Sequence, residues 1–180
     1  KRKQMLFSRI IFVFAFLPIV LAVYYGLFLK NRTWQNITLT VASLFFYAWG
    51  EPKFVLIMIF SIIMNWLFAL GVEKWRNNKK ISRLMVALAV TCNLGILFIF
   101  KYLNFTLQNI NNLGISVSVT SIALPIGISF FTFQAMSYVI DVYRGKVKVQ
   151  KDLLAFASYV TLFPQLIAGP IVRYEDISKQ

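Results

Sequence analysis

Gln134, Tyr138 and Asp141 stand at i, i+4 and i+7 inside an apolar run, so a helix would carry them on one face. An amide, a phenol and a carboxylate in such a stripe could hold or orient a polar substrate. Acids at membrane depth are costly and often functional. The ordinary alternative for Asp141 is an interfacial residue paired with Arg144 at i+3. Gln134 could equally be satisfied by another helix. A second group lies downstream at Pro164, Gln165, Gly169, Pro170 and Arg173. The prolines remove backbone donors and clash with the preceding turn, so the backbone should break near Pro164 and again before Pro170. In hydrocarbon the freed carbonyls need partners, which places such a break inside protein or beside a water-filled cavity. A proline-kinked structural helix is the plainer reading. Gln165 reads as a wall position beside the break. Arg173 could grip a carboxylate or phosphate, or anchor the chain at the interface.

The elements that must position these residues are apolar. The 180 residues are 59% hydrophobic and 17% aromatic, with mean hydropathy +0.70, above the composition of soluble domains. The net charge is +13, but the basic residues sit between apolar runs, which fits loops facing anionic lipid and not nucleic acid. There is no histidine, which excludes a His-based acid or base, a Ser-His-Asp triad and His-rich metal sites within these residues. No metal ligand set is expected. Cys92, the single cysteine, should pack as a small hydrophobe.

Six runs read as membrane spans: Leu6 to Leu29, Trp34 to Trp49, Phe54 to Val72, Ile81 to Phe100, Leu124 to Tyr143 and Leu153 to Ala168. The chain is therefore expected to be all-α, a polytopic helical membrane protein. Met5, after Lys1-Arg2-Lys3-Gln4, reads as the native start. Gly50-Glu51-Pro52-Lys53 is a turn, Glu73 to Arg83 an aqueous loop, and Lys101 to Ser121 the longest polar connection. Asn65, mid-span, should bond a neighbouring helix. Loops after the first, third and fifth spans hold eleven Lys and Arg, against five on the other side, or eight with residues 1–4. That bias puts those loops in the cytoplasm and the N-terminus outside.

Four stretches carry a family resemblance. They are Met5-Leu6-Phe7-Ser8, then Ser43-Leu44-Phe45-Phe46-Tyr47-Ala48-Trp49-Gly50-Glu51-Pro52, and then Gly127-Ile128-Ser129-Phe130-Phe131-Thr132-Phe133-Gln134 with Asp141-Val142-Tyr143-Arg144-Gly145. The fourth runs from Phe163-Pro164-Gln165 to Gly169-Pro170-Ile171-Val172-Arg173-Tyr174. In this order the chain resembles the membrane-bound O-acyltransferases, in the alginate O-acetyltransferase branch. The resemblance implies that residues 1–180 form the N-terminal part of a single domain, a ring of helices, with the catalytic histidine further downstream. It implies an acyl donor such as acetyl-CoA or an acyl-carrier thioester. The acceptor would be a polysaccharide, or teichoic acid in a neighbouring branch, reached with partner proteins at a bacterial inner membrane. A tunnel wall would include Gln134, Tyr138, Asp141, Pro164, Gln165, Gly169, Pro170 and Arg173. A secondary transporter is the alternative that the residues alone leave open.

Overall fold

Residues 12–27, 32–113, 123–162 and 174 are described by a computed structural model. Among them all regular structure is helical. The first helix has mixed pitch: π turns Phe12–Phe16 and Val23–Leu27 flank α1 (Leu17–Ala22), with Pro18 in the first turn, where a missing donor costs little. Phe12 and Phe16 hold it to Phe46 of α2 (Arg32–Gly50), at ring-centroid distances of 5.3 and 5.7 Å.

The Gly-Glu-Pro-Lys segment turns as expected. Glu51 N–H donates to Tyr47 O at 2.8 Å and Phe54 N–H to Glu51 O at 3.0 Å, releasing α3 (Val55–Lys74). The aqueous loop expected over Glu73 to Arg83 is shorter than the charge pattern implies. The Asn78 side chain accepts from the Lys80 and Ile81 N–H groups at 3.2 and 3.3 Å, and α4 (Lys79–Leu97) starts there. The basic residues Lys79, Lys80 and Arg83 thus stand on helix.

A larger correction concerns the polar stretch from Lys101. The chain continues through a π turn, Phe98–Tyr102, into α5 (Leu103–Asn112), so Lys79–Asn112 is one helical rod of 34 residues. Asn and Thr lower helix propensity only by tenths of a kcal/mol each, and Thr106 satisfies its own hydroxyl on Tyr102 O at 2.9 Å. The chain turns at Leu113.

α6 (Ile128–Tyr143) starts after Gly127, whose φ of 76° suits glycine, and Pro125 lies ahead of the helix. α7 (Leu153–Thr161) starts at Asp152, whose carboxylate accepts the Leu154 N–H at 2.9 Å. It ends early: Leu162 is extended at ψ 110°, two residues before Pro164. Nine residues make about 14 Å of helix, too short to cross the roughly 30 Å hydrocarbon layer.

The core lies where α3, α4 and α6 pack together, with α7 wedged between α2 and this trio. Fully buried Ala69, Ala89 and Ala135 let the backbones approach, and Met58, Phe131 and Val139 fill the space around them. The outward face is apolar. Leu56, Phe60, Ile63 and Leu67 form a stripe along α3 that is 73, 59, 40 and 55% exposed. Cys92 is exposed on α4 and does not pack inside. An apolar outer stripe over a mostly apolar core is compatible with hydrocarbon. Among the described residues two helices, Val55–Lys74 and Lys79–Asn112, are long and apolar enough to cross a membrane.

Candidate functional site

The polar stripe of α6 faces inward. Gln134, Tyr138 and Asp141 are 2, 0 and 6% exposed, so the one-face reading holds. Their surroundings differ. Gln134 Nε2 donates to Tyr159 O of α7 at 2.9 Å. The Tyr138 hydroxyl accepts the Gln150 N–H at 2.7 Å, and its ring lies 4.6 Å from Phe156 and 4.9 Å from Tyr174. Among the described residues no hydrogen bond or ion pair reaches the Asp141 carboxylate. The pairing with Arg144 that was the ordinary alternative does not form among the described residues, where Arg144 is exposed.

What brings these groups together is the end of α6. Gly145, φ 73°, closes a Schellman motif in which Gly145 N–H donates to Val142 O at 3.0 Å and Lys146 N–H to Asp141 O at 3.0 Å. Arg76, beyond α3, donates to the same Val142 carbonyl at 2.9 Å. The Asp-Val-Tyr-Arg-Gly stretch is therefore a helix stop, and it turns residues 146–152 back along α3 and α6. There Trp66 Nε1 donates to Gln150 O at 2.9 Å, and Gln150 Nε2 to the Tyr174 hydroxyl at 3.0 Å. Burial pushes the Tyr174 phenol above its ordinary pKa, so it stays neutral. Trp66 stands eight residues before Lys74, about 12 Å inside that end of α3. Irregular backbone therefore lies alongside α3, with Val147 buried and Gln150 half-buried against the helices while Lys146, Lys148, Lys151 and Asp152 stay exposed.

α7 is tied to α2 as well. Ser158 Oγ lies 2.7 Å from Thr40 Oγ1 and 2.9 Å from Asn36 O. By contrast, the Ser43, Tyr47 and Thr132 hydroxyls are buried with no hydrogen-bond partner among the described residues. Ser43 and Tyr47 lie one turn apart on α2. Gln150 and these hydroxyls were not flagged by sequence reasoning. Gln150 sits in a basic stretch that looks like an ordinary loop, and hydroxyls are tolerated anywhere in a helix.

Pro164, Gln165, Gly169, Pro170 and Arg173 lie outside the described residues. Tyr174, directly after them, is described, and its ring lies 5.1 Å from Tyr159. Among the described residues no group of three or more His, Cys, Asp or Glu could hold a metal ion. The site thus offers one unpaired carboxylate, a phenol cluster and amides, on two helices and an irregular return.

The comparisons with known proteins point one way. Over 98% of its length the chain is 39% identical to a probable alginate O-acetylase of Pseudomonas syringae pv. tomato and 38% identical to one of Pseudomonas aeruginosa. It is 33% identical, again over 98% of its length, to a peptidoglycan O-acetyltransferase of Helicobacter pylori. The chain spans about a third of these relatives, 34, 34 and 38% of their lengths. No family model and no solved structure matches.

Proposed function

We infer that this chain, which belongs to the family of the alginate O-acetylases, is part of a membrane-embedded O-acyltransferase that places acetyl groups on hydroxyls of a cell-surface or exported polysaccharide. The observation that carries the reading is the 39% identity maintained over 98% of the chain. The exposed apolar stripe on α3 supports it, since such a face suits a lipid surrounding. So does the irregular backbone beside α6 and α7, which suits a passage wall more than a plain bundle.

In this reading the whole protein lies in a bacterial inner membrane with its N-terminus outside. About six segments of this chain enter the bilayer, and they form the first part of one domain. The acyl donor is acetyl-CoA or an acyl-carrier thioester, and the acceptor is delivered with partner proteins. Gln134, Tyr138, Asp141, Pro164, Gln165, Gly169, Pro170 and Arg173 line the passage. The base that activates the acceptor is a histidine beyond residue 180. Relatives named for alginate and for peptidoglycan make these the first two acceptors to compare.

The test is acetyl transfer by the intact protein to each acceptor, with Gln165→Ala and Arg173→Ala beside the wild type. Lower rates in variants that keep wild-type melting behaviour are expected. Wild-type rates in both would remove these residues from the site.

A further inference from the structure

A pocket of about 350 Å³ opens where the α3–α4 turn meets the end of α6, lined by Val72, Arg76, Lys79, Ser82, Arg83 and Tyr143. Three of its six residues are cations. Lys79, Ser82 and Arg83 share one face of the first turn and a half of α4, at i, i+3 and i+4. That turn is the N-terminus of a 19-residue helix, which adds its own positive end. The acid closest to the cluster is Glu73, which lies 3.3 Å from Arg76 and leaves Lys79 and Arg83 uncompensated. Ser82 supplies the independent sign of a ligand. It is only 3% exposed, it lines the pocket, and among the described residues its hydroxyl has no hydrogen-bond partner.

The position selects the kind of anion. The pocket lies at the end of the apolar α3 with buried Val72 in its lining; Tyr143 lines it at 37% exposure, and Trp75, the residue that ends α3, is 42% exposed. Exposed aromatic rings at the end of an apolar helix mark the bilayer–water boundary, where lipid phosphates lie. The Schellman turn brings the second basic loop, with Arg144 and Lys146, to the same end. We propose that this pocket binds the phosphate of an anionic phospholipid headgroup, with Arg83 and Lys79 on the phosphate oxygens and the Ser82 hydroxyl donating to one of them. Arg76 holds α6 and forms the side wall. The role is separate from acyl transfer and does not depend on the acyltransferase reading.

The test uses the whole protein in neutral detergent micelles, binding a tail-labelled phosphatidylglycerol, with the same-tailed phosphatidylcholine as the neutral arm and fluorescence anisotropy as readout. Phosphatidylglycerol should bind at least about tenfold more tightly, an advantage that shrinks as salt rises. Arg83→Gln should weaken it about tenfold, and Ser82→Ala about threefold, through the loss of a charge-assisted and a neutral hydrogen bond. Lys101→Gln, at the other end of α4, should change nothing. Should Arg83→Gln fail to fold, Ser82→Ala carries the same test, since it removes a single hydroxyl. Equal binding of the two lipids, or wild-type affinity in both pocket variants, would overturn the proposal. So would displacement by millimolar inorganic phosphate without any preference between the lipids, which would assign the pocket to a soluble phosphate compound.

Discussion

The interface between α3 and α4 and the interface between α6 and α7 both bury amides, and they use them differently. Across α3 and α4, Asn65 and Asn93 exchange hydrogen bonds of 3.1 and 2.8 Å, and each spends its second N–H on the carbonyl one turn back, Ser61 O at 2.8 Å and Ala89 O at 2.7 Å. The pair is closed: both residues are 0% exposed and no donor is left over. Across α6 and α7 the amide of Gln134 reaches a backbone carbonyl, Tyr138 reaches loop backbone, and the Asp141 carboxylate reaches nothing among the described residues. Polar groups that satisfy one another specify how two helices dock. Polar groups that support irregular backbone and leave one charge over build a surface that something else can use. Depth and burial do not separate the two cases; the partners do.

Disrupting the irregular side should have the largest effect. Gly145→Val forces a β-branched residue to φ 73° and opens the turn that returns residues 146–152 to α3 and α6. A loss of about 2 kcal/mol is expected, measured as a lower melting temperature of the whole protein in detergent. Gly145→Asn should lose much less, because Asn tolerates the left-handed region. Equal losses would mean that the turn matters for its contacts and not for its backbone angle.

The closed pair comes next. Asn65→Leu alone strands the Asn93 amide in the core and should cost about 1.5 kcal/mol, within the range for interhelical bonds in bilayers and buried orphans. Asn65→Leu with Asn93→Leu should recover at least half of that, since no polar group is then stranded. Additive losses in the double variant would show that the amides do more than satisfy each other. No change in acetyl transfer is expected from the double variant, which would sharpen the contrast between the two interfaces.

The sequence made the closed side readable and hid part of the open side. A lone Asn within a span has few uses besides an interhelical bond, so Asn65 could be assigned from its position, although its partner could not. The spacing of Gln134, Tyr138 and Asp141 gave their shared face directly. Helix ends were harder. Hydropathy marks where the apolar run stops, but Asn78 and the helix-tolerant Asn and Thr residues after Lys101 determine where the hydrogen bonding stops, and these differ by many residues at α5. The return through Gln150 was invisible because its register depends on Gly145, Trp66 and Tyr138 together, residues from three segments. The unpaired state of Asp141 was equally out of reach, since Arg144 at i+3 offered an obvious partner.

Tyr138→Phe probes the return with a smaller change. The ring contacts with Phe156 and Tyr174 stay, and only the acceptor for the Gln150 N–H is lost. About 1 kcal/mol of destabilisation is expected, read from the same melting curves. A larger loss would mean that residues 146–152 detach as a unit when one bond is removed.

The smallest effect on stability and the most informative one should come from Asp141→Asn. The carboxylate has no hydrogen bond or ion pair to lose among the described residues, the amide has nearly the same shape, and a buried unpartnered acid is costly, so melting should not fall. Acetyl transfer by the whole protein should nevertheless fall by at least about tenfold if the charge orients or stabilises a group in the passage. The two readouts together separate the cases that geometry leaves side by side. An unchanged rate with unchanged melting would make Asp141 a tolerated interfacial acid and remove the one free charge from the α6 wall. A lower rate accompanied by lower melting would mean that the acid serves the fold, and the contrast between the closed and the open interface would have to be drawn at Gln134 instead.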